Sequence, residues 1–231
     1  MPILSLIVYG SRARKDNTVE SDTDLFAITD DNRYEMIIEG NTNIACYPLS
    51  LAISRAKGGD LFFMHIVSEA MAIYDPTESF TKIKESFKKK KDYITEITHA
   101  SELGFALVAY AKHMQDYYLL NKRLAWCLRT ILIARSVEMG KPTFSKEGLA
   151  LLFKDKSLAE LVALKDSTNY VAKAYPEFRS AFMTYGVNPD KEMPTDISDL
   201  VEYFSARENS MGLKTARLLS HDVELEGYAW S

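Results

Sequence analysis

The chain has little cysteine, proline or glycine and no long apolar run, and each shortage removes a class of protein. Its two cysteines, Cys46 and Cys127, lie far apart and match no metal-ligand spacing. They exclude a disulfide-stapled fold and read as buried free thiols in a reducing compartment. Ten glycines and seven prolines in 231 residues are too few for a fibrous or disordered chain. No stretch approaches the roughly 20 apolar residues that cross a bilayer. The opening Met-Pro-Ile-Leu-Ser-Leu-Ile-Val-Tyr-Gly lacks the basic region and cleavage site of a signal peptide. A cytoplasmic protein without a membrane span is therefore expected. Charge of one sign is not in surplus either, since 28 Lys and Arg stand against 32 Asp and Glu, a net charge of −4. That offers no global attraction to nucleic acid and leaves only a local basic groove as a route to it.

What is present is an ordinary globular composition, 47% hydrophobic and 26% charged. Ile3 to Tyr9 is a short β-branched run that stops at Gly10 and reads as a buried strand. Ser11 to Ser21 is polar, a loop or a short helix. Asp22 to Thr29 reads as a second strand, with Leu25, Ala27 and Thr29 alternating against Asp24, Phe26 and Ile28. Tyr34–Ile38 and Ile44–Pro48 flank Glu-Gly-Asn-Thr-Asn, which signals a hairpin. Helical periodicity follows from Leu49 to Gly58-Gly59 and again from Leu61 to Ala70, before an extended Ile73–Pro76.

From Thr77 onward the pattern is helical. A charged helix is expected over Phe80–Ile94, carrying Lys88 to Lys91 as a solvated run. Ser101–Leu120 and Lys122–Met139 read as helices buried on more than one side. Gly140-Lys141-Pro142 ends the second, and Ser145 is placed to cap the next. Further helices are expected at Leu158–Leu164, at Asn169–Met183 with a kink at Pro176, and at Asp196–Leu219. The fold class is thus α+β, a small mixed β-sheet domain followed by an all-α bundle. The change falls within 76–95, which divides the chain into domains 1–85 and 86–231.

One constellation carries chemistry. Asp22 and Asp24 stand two apart on a predicted strand, so the period of two puts both carboxylates on one face. Two like charges this close repel, and a divalent cation resolves the conflict. Hard oxygen ligands suit Mg²⁺ or Mn²⁺, and such a cation also bridges nucleotide phosphates. Gly10 lets the backbone approach an anion, Ser11 adds a hydroxyl and an amide, and Arg12, Arg14 and Lys15 supply positive charge. Together these parts describe a cradle for a nucleoside triphosphate and its metal.

Tyr-Gly-Ser-Arg-Ala-Arg at 9–14, followed by Glu-Ser-Asp-Thr-Asp-Leu at 20–25, closely resembles the GS…SDxDL signature of the DNA polymerase β-like nucleotidyltransferases. A small nucleotidyltransferase domain before a helical bundle is similar to the layout of the kanamycin-type aminoglycoside enzymes. The resemblance implies Mg²⁺-dependent transfer of a nucleoside monophosphate, AMP from ATP, to a hydroxyl of a small molecule or a protein. It makes Asp22 and Asp24 the metal-binding and catalytic pair, and Gly10, Ser11, Arg12, Arg14 and Lys15 the nucleotide-binding set. A nucleotide-binding protein without turnover, or an antitoxin-like regulator of the same fold, is the alternative.

The chain departs from the pattern in two places. A third carboxylate is expected on the strand after the Asp22/Asp24 strand, and Ile44–Pro48 holds no acid. Candidates to replace it are Glu35, Glu69 and, by likeness to the kanamycin-type base, Asp116, Glu102 or Glu138. The family often has a helix before its first strand, and none precedes Ile3 here, so one sheet face needs cover from the helical half or from a second copy in a homodimer. His65 and Glu69 share a helix face as a packed pair or an acid–base pair. Tyr110, Tyr117, Tyr118 and Trp126 form an aromatic stripe for the core or for ring stacking.

Overall fold

The computed structural model describes residues 2–19, 21–114, 116–188, 193–194 and 199–219. Glu20 of the signature, Gln115 and the expected helix start at 196–198 lie outside the described residues. The architecture is α+β, and the described chain falls into two compact units, 2–91 and 92–219.

The first unit is built on five strands: β1 (Ile3–Tyr9), β2 (Thr23–Thr29), β3 (Glu35–Glu39), β4 (Thr42–Pro48) and β5 (Met71–Tyr74). Their order across the sheet is β3-β4-β2-β1-β5. β2 runs parallel to β4, and every other neighbouring pair is antiparallel. The short helix α1 (Gly10–Arg14) follows β1, while α2 (Leu49–Lys57), α3 (Leu61–Glu69) and α4 (Ser79–Ser86) pack on the sheet. The core joins Ile7, Phe26, Ile28, Ala45 and Tyr47 of the sheet to Ala52, Ala56, Phe63, Ile66, Phe80 and Ile83 of the helices. At its centre the Phe63 ring stands edge-on to Phe26 and Tyr47, with centroids 5.7 and 5.3 Å away. Each such buried ring contributes about 1.5–3 kcal/mol, and this layer is what holds β2 and β4 in place.

Several boundaries differ from expectation, each for a local reason. β2 begins at Thr23, so Asp22 ends the preceding loop. The hairpin is tighter than the expected five-residue loop, because β4 takes in Thr42 and Asn43 and the turn reduces to Gly40-Asn41, with Gly40 at φ +56°. The extended stretch after α3 is β5, which pairs with β1 from Met71 onward. The helix expected over 80–94 ends at Ser86, where Phe87 turns extended and the Lys88 amide donates to the Ala56 carbonyl at 3.0 Å. Lys88–Lys91 is therefore a non-helical strap that passes directly over Gly59.

The second unit is helical: α5 (Ile94–Tyr110), α6 (Tyr117–Glu138), α7 (Lys146–Phe153), α8 (Ser157–Ala163), α9 (Ala174–Tyr185), α10 (Leu200–Ala206) and α11 (Ser210–Leu219). The expected helix over 101–120 is split, since α5 ends at Tyr110 and Asp116 caps α6 through the Leu119 amide at 2.8 Å. Ser145 caps α7 through the Gly148 amide at 3.1 Å, and Gly140 turns the chain after α6 at φ +73°. Pro176 does not kink α9, because the helix starts at Ala174 and leaves the proline in the first turn, where its missing N–H has no helical partner. The last expected helix is two, α10 and α11, separated where Glu208 adopts φ +54°.

The close pass of the strap over Gly59 is testable. A Cβ there would lie 2.4 Å from the Lys88 carbonyl oxygen at φ +69°, whereas Gly40 at φ +56° faces nothing within 4 Å. Gly59→Ala should cost about 2–4 kcal/mol in urea unfolding, and Gly40→Ala about 1–2 kcal/mol.

Candidate functional site

The pairing of the strands brings the two halves of the signature together. Tyr9, the last residue of β1, stands opposite Asp24 on β2, and Asp24 stands opposite Asn43 on β4. Residues directly opposite across a sheet share a face, so Tyr9, Asp24 and Asn43 project from the same side as Phe26 and Tyr47. Gly10 follows Tyr9 with φ +71°, a conformation natural to glycine, and a Cβ there would lie 3.0 Å from Asp24 Oδ2. The glycine thus meets two demands at once, a left-handed turn out of β1 and room for a carboxylate. Ser11 follows Gly10 in the first turn of α1, which ends as Lys15 takes φ +63°.

The loop between α1 and β2 is tied at both ends. Thr18 and Ser21 close a turn through the Thr18 amide to Ser21 Oγ at 2.9 Å and the Ser21 amide to the Thr18 carbonyl at 3.2 Å. Arg12 spans from α1 to the loop's end, donating to the carbonyls of Ser21 at 2.8 Å and Asp22 at 3.3 Å. Arg12 therefore fixes the backbone that carries Asp22, a role that composition alone does not reveal. Arg14 is engaged as well, by Asp16 at 2.9 Å and by Glu69 at 2.8 Å. Lys15 is exposed beside them.

Each acid considered for a third position has partners of its own within its unit. Glu35 pairs with Cys46, three residues along β4 from Asn43, which is about 10 Å along the strand. Glu69 is held between Arg14 and His65 Nε2, each at 2.8 Å, and His65 in turn packs edge-on to Tyr9 with ring centroids 5.6 Å apart. Burial works to raise the Glu69 pKa, but hydrogen bonds and charge from His65 and Arg14 outweigh it and hold the carboxyl below its ordinary value. Glu69 is thereby an ionised anchor for Arg14. In the helical unit Asp116 caps α6, Glu138 pairs with Arg135 at 2.8 Å, and the buried Glu102 takes the Asn209 amide at 3.2 Å and faces Arg207 at 3.4 Å. The aromatic residues there also have local partners: Tyr110 donates to the Pro194 carbonyl at 2.9 Å, Tyr117 packs on Tyr170 at 5.3 Å, and Lys122 lies over Tyr118 at 5.0 Å. Trp126 is half-buried on α6.

Asn43 is the site residue that sequence reasoning passed over. Asparagine is depleted in strands and common in turns, so Thr42-Asn43 reads as hairpin loop. Its amide nitrogen donates to Asp24 Oδ1 at 3.2 Å. The only hint in the sequence is the parallel register that would carry β4 as far back as β2.

Two aspartate carboxylates are a suitable but incomplete ligand set. Among the described residues no group of three or more His, Cys, Asp or Glu is arranged to hold a metal ion. Mg²⁺ is commonly held by one or two carboxylates plus substrate phosphates and waters, so a cation held here would take its remaining ligands from phosphate and water.

The Glu69 cluster makes a pH prediction. Because its folded-state pKa is depressed, Glu69 contributes stability above the ordinary carboxylate range, and that contribution is lost as pH falls through the folded value. Urea unfolding measured from pH 7 downward should show this acid-side loss in the wild type. Glu69→Gln should be about 1–2 kcal/mol less stable at pH 7 and show a flatter slope.

No protein-family model matches the chain, and no curated protein matches it. Among solved structures it is similar to a nucleotidyltransferase-like protein from Exiguobacterium sibiricum 255-15, at 14% identity over 95% of this chain and 86% of that chain. The TM-score between the two is 0.26.

Proposed function

We propose that the chain is a nucleotidyltransferase that moves a nucleoside monophosphate, AMP from ATP, to a hydroxyl of a small molecule or a protein with the help of Mg²⁺ or Mn²⁺. The observation that carries this reading is the fit of Gly10 against Asp24 Oδ2, which joins the two separate parts of the signature in one place. A polar turn followed by an unrelated strand has no need of that fit.

In this reading Asp22 and Asp24 supply the protein's oxygen ligands, and Gly10 and Ser11 let the triphosphate approach the backbone. Lys15 adds positive charge beside them. Arg12 and Arg14 act from behind, the first by holding the Asp22 backbone and the second through Glu69. The cation, when bound, neutralises charge developing on the phosphate oxygens. The acceptor oxygen bonds to the α-phosphorus as the bond to the bridging oxygen breaks. Pyrophosphate leaves, and the hydroxyl proton is released to solvent. Catalysis of this kind is mostly positioning and charge neutralisation.

Asn43 favours a second reading, a protein of the same fold that binds the nucleotide without turnover, because an amide beside Asp24 accepts no proton from an attacking hydroxyl.

The test is Mg²⁺-dependent release of pyrophosphate from ATP with a panel of hydroxyl acceptors, alongside thermal unfolding with a non-hydrolysable ATP analogue. Wild type should release pyrophosphate, and Asp22→Asn or Asp24→Asn should lower the rate by about a hundredfold or more. Stabilisation by the analogue with no release from any acceptor would favour the second reading. Absence of both would overturn the nucleotide reading altogether.

A further inference from the structure

Asp24 has its two oxygens assigned to different neighbours. Oδ2 is the oxygen turned toward Gly10, and Oδ1 accepts the Asn43 amide at 3.2 Å. The orientation of that amide is set by chemistry, since an ionised carboxylate only accepts and so meets the nitrogen of Asn43. Parallel pairing of β2 and β4 places Asn43 directly opposite Asp24, and β4 itself is held by the buried Ala45 and Tyr47 that follow. The amide is therefore presented by a rigid strand.

We infer that Asn43 is a positioning residue that reserves a single oxygen of Asp24 for metal, so that the centre takes one divalent cation and takes it together with the phosphates that carry it. The inference rests on the nucleotide reading for the second half of that statement and on the Asn43–Asp24 contact for the first. Two carboxylates bring two negative charges, and that of Asp24 already accepts a neutral donor. Mg²⁺ and Mn²⁺ in water surrender their hydration reluctantly to so small a set. A cation already on a triphosphate has exchanged part of its water for phosphate oxygens and needs only one or two more ligands from the protein. An acid in place of Asn43 would change both terms. It would add a third charge and would release Asp24 Oδ1 to bind metal.

The experiment uses Mn²⁺ as the probe, with its free concentration followed by electron paramagnetic resonance, on the full chain with and without a non-hydrolysable ATP analogue. Wild type should leave Mn²⁺ free when the metal is alone and bind one Mn²⁺ per chain with the analogue. Asn43→Asp should bind Mn²⁺ alone at least about tenfold more tightly than wild type, as an added charge beside a cation requires. Asn43→Ala, which frees Asp24 Oδ1 but adds no charge, should gain less than Asn43→Asp with metal alone and lose about tenfold in analogue-dependent Mn²⁺ affinity. Binding of Mn²⁺ alone by wild type as tightly as by Asn43→Asp would overturn the inference, and so would an Asn43→Ala chain indistinguishable from wild type with the analogue. Failure of the analogue to bind wild type, with the gain in Asn43→Asp intact, would overturn the nucleotide reading and the phosphate-borne cation while leaving the role of Asn43 standing.

Discussion

The fit between Gly10 and the Asp24 carboxylate is the constraint on which the rest of the first unit depends. It requires β1 and β2 to be antiparallel with Tyr9 opposite Asp24, and it requires a residue without a Cβ at a positive φ at the end of β1. The register in turn is held by burial. Ile7 and Phe26 face each other across the strands in the core, and slipping by one residue would turn both to the other face. The aromatic layer of Phe26, Tyr47 and Phe63 thus serves the site indirectly, by leaving Asp24 one position to occupy.

Around that contact the arginines are spent as braces, one on backbone carbonyls and one between two carboxylates. Arg12 bonds to the carbonyls of Ser21 and Asp22, and Arg14 is shared between Asp16 and Glu69. Glu69 is fixed by His65, which rests on the ring of Tyr9, the residue before the critical glycine. A carboxylate so occupied is a poor proton acceptor and a good brace. The structural task of these residues explains why cationic and acidic side chains cluster near the signature without all of them reaching a ligand.

Much of this was legible in the residues themselves. The strand at 3–9, the stop at Gly10 and the cap at Ser145 follow from local chemistry that tertiary structure leaves alone. Where reading failed, a distant partner decided the outcome. Asn43 joined a strand because β4 lies alongside β2, although asparagine by itself favours a turn. Lys88–Lys91 left the helix because the Lys88 amide is taken by Ala56 of α2. Pro176 failed to kink α9 because the helix begins two residues before it, and boundaries of that kind are set by what precedes the helix. Asp24 stands out in the sequence as an acid on a strand, whereas its partner Asn43 required the register of two strands far apart in the chain.

The most direct measurement is a crystal structure of the chain with a non-hydrolysable ATP analogue and Mn²⁺, read by the anomalous signal of the metal. The account predicts one Mn²⁺ peak bridging the analogue's phosphates to Asp22 and to Asp24 Oδ2, with the triphosphate against Gly10 and Ser11 and the Asn43 amide still on Asp24 Oδ1. A triphosphate bound elsewhere, or no metal peak beside Asp22 and Asp24, would contradict it.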